Sequence, residues 1–184
     1  MILFRCFAWN ERARETAPDG PLWIPRIFQG EGRHDNPDLY GCLYLSEPAV
    51  SCVVEQLARF RGQRLAAALF RRRGLPLAVA ELELADGVEI VDLDDPQRLE
   101  REKLRPSVVA TRARGETQPQ ARRLYRRHAG AAGLRWWSTY EALWLNVTLF
   151  DRAAAGLQLR SVRALTLDDR IIVEASDFLG LRVG

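Results

Sequence analysis

The chain has 184 residues, of which 47% are hydrophobic and 28% are charged, and this balance argues against a disordered or membrane-embedded protein. Its 27 basic and 24 acidic residues leave a net charge of only +3, which is a weak argument for nucleic-acid binding. The cysteines have no CxxC spacing and there are only two histidines, so we expect neither disulfide bonds nor a metal site.

The first part of the chain predicts two strands and a helix, with a polar loop between the strands. Ile2–Ala8 is rich in β-forming residues and predicts a strand, whereas Pro25–Pro37 carries glycines among polar residues and predicts a loop. Gly41–Ser46 predicts a short strand, and Ser46-Glu47-Pro48 supplies a cap and a first-turn proline for the helix that follows. Glu55 lies on that helix beside its apolar stripe, so we expect the carboxylate at the edge of the core.

The remaining elements alternate between strands and helices in no regular order. Leu65–Phe70 predicts more helix, which ends at the basic run before Gly74. Leu77–Leu84 and Val88–Leu93 predict two strands joined as a hairpin at Asp86-Gly87. Two further helices and three late strands are predicted over Asp95–Leu104, Thr117–Ala129, Leu134–Trp137, Ala142–Phe150 and Leu157–Leu167.

This order of elements favours an α+β fold, because it lacks the regular βαβ alternation of a doubly wound sheet. Neither the glycine pattern of a Rossmann domain nor that of a P-loop is present. The length predicts a single domain over residues 1–184, and no apolar run is long enough to span a membrane. The N-terminus lacks the features of a signal peptide, so we expect a cytoplasmic protein without membrane contact.

Arg33, Tyr44 and Glu55 are spaced at equal intervals of eleven residues across the predicted loop, strand and helix. An arginine, an aromatic ring and a single carboxylate could together hold a phosphorylated ribose, because the guanidinium donates parallel hydrogen bonds to phosphate. Each residue also has a simpler interpretation. Glu55 could be a solvated surface acid, Tyr44 could belong to the strand core, and Arg33 could cap a carbonyl group.

An ordered set of motifs resembles the RES domain, a family named for an arginine, a glutamate and a serine. The motifs are Leu3-Phe4-Arg5, Gly32-Arg33, Leu43–Ser46 with the helix that carries Glu55, Thr117-Gln118 with Ala121, Gly133–Ser138, and Asn146–Phe150. Together they span nearly the whole chain. The chain departs from the family at His34, where a larger aromatic residue is usual, and in its long connection between Arg5 and Arg33.

Members of this family are typically toxins of RES–Xre toxin–antitoxin pairs. The resemblance implies an ADP-ribosyltransferase-like fold, with small twisted, mostly antiparallel sheets flanked by helices. It also implies an enzyme that cleaves the nicotinamide–ribose bond of NAD⁺ by hydrolysis or phosphorolysis, needs no metal, and is neutralised by an Xre-type helix-turn-helix antitoxin. By the same resemblance the expected catalytic residues are Glu55, Arg33 and Ser138, and the expected NAD⁺-binding residues are Arg5, Arg33, Tyr44 and Ser138.

Two alternative functions stay open at this point. A protein ADP-ribosyltransferase would use the same fold and the same NAD⁺ but would transfer ADP-ribose to a protein. A non-enzymatic nucleic-acid-binding module would use the arginine-rich helices, although the small net charge and the lack of a reading motif count against direct nucleic-acid contact. The sequence leaves open whether water, phosphate or a protein accepts the ADP-ribosyl group, and whether the protein is a homo-oligomer.

Overall fold

The structure, a computed structural model, describes residues 1–183, which form ten strands and five α-helices. The strands are β1 (Ile2–Ala8), β2 (Cys42–Ser46), β3 (Arg64–Leu65), β4 (Arg71–Arg72), β5 (Leu75–Leu84), β6 (Ile90–Asp92), β7 (Gly133–Trp137), β8 (Leu145–Phe150), β9 (Leu157–Ala164) and β10 (Arg182–Val183). The helices are α1 (Ala49–Leu57), α2 (Pro96–Glu102), α3 (Pro106–Val109), α4 (Arg114–Arg127) and α5 (Arg170–Leu179). No helix within residues 1–183 is long and apolar enough to cross a membrane.

The chain divides into two compact units. The first contains Met1–Trp23, Leu45–Glu83 and the chain from Gln158 onward, and the second contains Ile24–Tyr44 and Leu84–Leu157. The expectation of a single domain therefore stays a prediction.

The first unit is built around strand β1. This strand pairs with β5 in antiparallel register from Ile2 opposite Glu83 to Ala8 opposite Leu77, and it also pairs with the end of β2. Strand β5 pairs in addition with β4 and β9, while α1 packs against β1 and α5. Strands β3 and β10 form a separate parallel pair.

The second unit is built around strand β7, which pairs with β8 in antiparallel and with β6 in parallel orientation. Its core contains an aromatic group in which the ring of Tyr40 lies 4.5 Å from that of Tyr125 and 4.7 Å from that of Phe150, measured between centroids. Helix α4 closes this core with buried Ala121 and Leu124. The strands and α4 thus form a rigid frame for the loop that carries Arg33.

Several predicted elements are confirmed. The strand over Ile2–Ala8 has the predicted bounds, and Asp95 caps α2 by accepting a hydrogen bond of 2.9 Å from the backbone nitrogen of Gln97. The predicted helix over Thr117–Ala129 is α4, which begins three residues earlier, at Arg114. A mixed sheet flanked by helices confirms the α+β class.

Two local predictions are wrong. Val88–Leu93 does not form a hairpin with the preceding strand, because β6 pairs with β7 instead. Leu65–Phe70 is not helical, since Leu65 ends β3 and Ala67–Phe70 is a 3₁₀ turn. The glycine at position 74 has a positive φ of 79° and turns the chain from β4 back into β5, so it ends a strand rather than a helix.

Candidate active site

The loop of residues 30–36, here called the Arg33 loop, is folded around the buried carboxylate of Asp35. One carboxylate oxygen, Oδ2, accepts hydrogen bonds from the backbone nitrogens of Gly30 at 2.8 Å and Gly32 at 2.6 Å. The other, Oδ1, accepts a hydrogen bond of 2.7 Å from the hydroxyl of Tyr44 on β2. Because one side chain satisfies two loop nitrogens and a strand hydroxyl, the loop is held in a single shape.

The glycine before Arg33 is required by the close approach of these groups. A Cβ atom on Gly32 would lie 2.5 Å from the hydroxyl oxygen of Tyr44 and 2.6 Å from Oδ1 of Asp35. Both atoms belong to the hydrogen bond that anchors the loop, so a side chain at this position would break it.

Helix α4 holds the other side of the Arg33 loop. The hydroxyl of Thr117 donates a hydrogen bond of 2.6 Å to the backbone oxygen of Arg33. The side-chain amide of Gln118 donates to the backbone oxygens of Gly30 at 3.0 Å and Gly32 at 2.9 Å. These contacts explain the Thr117-Gln118 pair among the motifs: its side chains position the loop.

The side chain of Arg33 donates hydrogen bonds to backbone oxygens and stacks on an aromatic ring. Its Nη1 donates hydrogen bonds to the backbone oxygens of Val109, at 2.8 Å, and Thr111. Its guanidinium carbon lies 4.5 Å from the ring centroid of Trp136 on β7, which is a cation–π distance. Arg33 as a whole residue is partly buried, and stacking fixes the plane of its guanidinium and so the direction of its donors.

His34 follows Arg33 in the loop, and only 4% of its surface is exposed. Its Nδ1 is 2.8 Å from the hydroxyl oxygen of Thr148 on β8, and its ring packs edge-on against Trp136 at 5.3 Å. Its backbone nitrogen donates a hydrogen bond of 2.9 Å to the hydroxyl of Tyr44. Burial, assisted by the charge of Arg33, lowers the pKa of His34 to about 3, so the ring is neutral at physiological pH.

Tyr44 lies on β2 and Ser138 comes directly after β7, both in the second unit. The hydroxyl of Tyr44 joins Asp35 to the backbone of His34, and burial raises its pKa well above the ordinary value. Ser138 follows β7 directly and is buried; its backbone nitrogen donates to Trp144 at 2.8 Å, and its hydroxyl accepts from the nitrogen of Tyr140 at 3.2 Å. Ser138 comes two residues after Trp136, the residue on which Arg33 stacks.

Arg5 and Glu55 lie in the first unit. Nη1 of Arg5 donates to the backbone oxygens of Pro21 at 2.6 Å and Gly20 at 3.4 Å, and the guanidinium carbon lies 4.7 Å from the ring of Phe7. Burial lowers the pKa of Arg5 to about 10, which leaves it charged at neutral pH. Glu55 is exposed on α1, directly after buried Val54, so it lies further towards solvent than the expected position at the edge of the core.

The structure thus brings Arg33 and Tyr44 together in one hydrogen-bonded cluster, and Ser138 directly follows the strand that carries Trp136. The grouping of Arg5 and Glu55 with this cluster stays a prediction. Sequence reasoning missed the roles of Asp35 and Thr148. A signal for Thr148 exists, because it is a polar residue in the middle of the buried end of β8, where a hydroxyl needs a partner.

Among residues 1–183, no group of three or more histidine, cysteine or acidic side chains could hold a metal ion. The fold is similar to that of a solved chain from the crystal structure of the M. tuberculosis MbcT–MbcA toxin–antitoxin complex. The TM-score is 0.60 at 21% sequence identity, and the match covers 98% of this chain and 88% of the other. By fold and site this is an α+β protein with an arginine-bearing loop clamped between a helix and a sheet.

The model of the RES domain family matches residues 3–169. The chain therefore belongs to the RES domain family, which confirms the resemblance of its motifs. No curated protein matches the chain.

Proposed function

We propose that the protein is an NAD⁺-degrading toxin that cleaves the nicotinamide–ribose bond. Membership of the RES domain family and the fold shared with a chain of a toxin–antitoxin complex support this proposal. The observation that carries it is the fixed guanidinium of Arg33, which is stacked on Trp136 and donates hydrogen bonds to backbone oxygens of Val109 and Thr111.

The reaction makes modest demands on the protein. Nicotinamide leaves NAD⁺ as a neutral pyridine, so its nitrogen needs no proton and a second carboxyl group acting as a general acid is unnecessary. The transition state needs negative charge beside the developing oxocarbenium ion of the ribose. We assign this role to the carboxylate of Glu55, which would act through the ribose hydroxyls and contribute about 3–4 kcal/mol, the range measured for preorganised charge of this kind.

The other residues would bind the dinucleotide. Arg33 and Arg5 suit the pyrophosphate, because each guanidinium plane is fixed over an aromatic ring and a fixed plane can donate charge-assisted hydrogen bonds to phosphate oxygens. The ring of Tyr44 would pack against the nicotinamide, and its hydroxyl is already occupied by Asp35 and the backbone of His34. Ser138 would close the site with its buried hydroxyl.

We also propose that an Xre-type helix-turn-helix antitoxin is the cognate partner and neutralises the enzyme by covering this site. The partner in the solved complex supports an antitoxin of some kind. Water or phosphate would accept the ADP-ribosyl group, and release of nicotinamide with and without phosphate separates hydrolysis from phosphorolysis.

The decisive experiment follows nicotinamide release from NAD⁺ by the antitoxin-free protein and by Glu55→Gln. We expect the variant to lose activity by about 100- to 1000-fold, because the amide removes the negative charge without removing its shape. The matched control is Glu174→Gln, which neutralises an exposed carboxylate on α5. Equal thermal melting curves would show that both variants fold.

Two results would overturn the proposal. The first is intact NAD⁺ after prolonged incubation with the wild-type protein. The second is a discrete protein carrying ADP-ribose in treated lysate, detected by mass spectrometry without free ADP-ribose or its phosphate, because that result assigns the protein ADP-ribosyltransferase function instead.

A further inference from the structure

His34 has one ring nitrogen in the hydrogen-bond network and one outside it. Nδ1 is bonded to the hydroxyl of Thr148, whereas Nε2 has no hydrogen-bond partner among residues 1–183. Within the same range, three side chains have a polar atom that is fully buried and lacks a hydrogen-bond partner: Glu83, Glu102 and Ser176. Nε2 of His34 is not among these atoms, although it also lacks a partner among the described residues. The small exposed part of this ring therefore includes Nε2.

The proton on the ring can be placed from the partners of Thr148. The indole nitrogen of Trp136 can only donate, and it donates a hydrogen bond of 3.0 Å to the hydroxyl oxygen of Thr148. The fully buried hydroxyl of Thr148 has no acceptor among the described residues other than Nδ1 of His34. Its hydrogen therefore points at Nδ1, and the ring hydrogen is on Nε2.

The Arg33 loop therefore carries an uncharged hydrogen-bond donor, Nε2–H of His34, next in sequence to the charged guanidinium of Arg33. Arg33 on the adjacent position already supplies positive charge for phosphate, and the low pKa of His34 keeps the ring neutral. A neutral N–H suits an uncharged oxygen on a cationic group, which a second positive charge would repel. In NAD⁺ the carboxamide oxygen on the pyridinium ring has these properties. The backbone of His34 is bonded to Tyr44, the residue assigned to the nicotinamide.

We propose that Nε2–H of His34 donates a hydrogen bond to the carboxamide oxygen of nicotinamide and makes this residue a specificity determinant of the enzyme. The inference rests on the proposed function, since it names the substrate group that one residue of that site reads.

Two substitutions test the roles of the two ring nitrogens separately: Nδ1, which bonds to Thr148, and Nε2, which carries the proposed donor. In His34→Asn the amide reaches the position of Nδ1, so it can keep the bond to Thr148 but offers no donor at Nε2. In His34→Gln the longer amide reaches the position of Nε2 and can restore the donor. The matched control is His128→Asn at the chain's other histidine, which bonds to Glu102 at 2.9 Å.

The experiment compares NAD⁺ with its thionicotinamide analogue, whose sulfur is a weaker acceptor than oxygen. We expect the wild-type KM for the analogue to be about 5- to 10-fold higher than for NAD⁺, the size of one neutral hydrogen bond. His34→Asn should raise the KM for NAD⁺ by a similar factor, leave kcat within about twofold and abolish the preference. His34→Gln should recover most of the preference, and His128→Asn should not change it.

The failures of the two proposals are distinguishable. Nicotinamide release by the wild type with equal KM for the two nucleotides would overturn the role of His34 and leave the proposed function standing, and this result needs no variant to fold. If the wild type releases no nicotinamide, the proposed function is wrong. The same nucleotide pair is then compared by calorimetric binding, where a preference that His34→Asn removes supports the inference, and equal or undetectable binding overturns it.

Discussion

Arg5 and Arg33 are held by the same two kinds of contact, hydrogen bonds to backbone oxygens and a cation–π contact, but in different surroundings. In each case Nη1 donates to two successive or nearby backbone carbonyls, and the guanidinium lies over an aromatic ring at 4.7 Å for Arg5 and 4.5 Å for Arg33. Arg5 sits inside an apolar strand and only 8% of it is exposed, whereas Arg33 is half-buried above a polar network.

The same kind of anchor therefore contributes more to stability where the arginine is enclosed than where it is partly exposed. A nearly enclosed cation is costly unless its hydrogen bonds are kept, so the fold depends on Arg5. A partly buried cation such as Arg33 carries a smaller desolvation cost and can still reach a ligand. We therefore expect loss of Arg5 to lower the free energy of unfolding in addition to weakening NAD⁺ binding, and loss of Arg33 to affect mainly turnover.

The largest effect should come from Arg33→Met, which removes the charge and keeps a flexible chain over Trp136. We expect kcat/KM for NAD⁺ to fall by about 100-fold or more, because the substrate phosphates lose a fixed cation. Steady-state nicotinamide release measures it. Unchanged turnover of Arg33→Met, together with a loss of stability as large as that of Arg5→Met, would contradict the assignment of Arg33 to substrate binding.

Arg5→Met should lower the free energy of unfolding by about 3 kcal/mol, because the buried oxygens of Gly20 and Pro21 lose their donor. Urea denaturation measures the change. Arg5→Lys keeps a donor and should lose clearly less. Equal stability of wild type and Arg5→Met would show that the anchor contributes nothing and would remove the distinction between the two regions.

The stability of the Arg33 region should depend on pH, because this region contains the buried neutral histidine His34 and the described surroundings of Arg5 contain no histidine. The pKa of His34 is lowered to about 3 in the folded state, whereas an unfolded histidine titrates near pH 6.5. As the pH falls below 6.5 the unfolded state takes up a proton that the folded state does not, so stability falls by up to about 1.4 kcal/mol per pH unit towards pH 3 and is unaffected above 6.5. Denaturation at pH 7, 6 and 5 should show a shallower dependence for His34→Gln. Parallel curves for the two proteins would contradict the buried, neutral state.

Much of the fold was predictable because its signals are local. The composition of Ile2–Ala8 predicts a strand, and the capping residue in Asp95-Pro96 predicts the start of a helix. The hairpin expected at Asp86-Gly87 fails for a non-local reason: a glycine turn permits a reversal, but the choice of partner strand depends on β7, more than forty residues later. Local signals cannot make that choice.

The candidate site was predictable in its residue types but not in its construction. The motifs pointed to Arg33 and Tyr44, and the structure brings both into one cluster. The residues that build the cluster, above all Asp35 and Thr148, act through contacts with groups distant in sequence. A carboxylate after an arginine suggests a local ion pair, whereas Asp35 instead binds two backbone nitrogens and a hydroxyl.

The contacts that hold the Arg33 loop also govern when it can form during synthesis. Gln118 is 86 residues from Gly32, and Thr148 is 114 residues from His34. A growing chain cannot close these contacts until the sequence through β8 has left the ribosome, since long-range pairing comes late in folding. For most of its synthesis the nascent chain thus lacks a positioned Arg33. If the protein degrades NAD⁺ as proposed, it cannot do so until nearly the whole chain has been made, so the proposed antitoxin can already be present when the site forms.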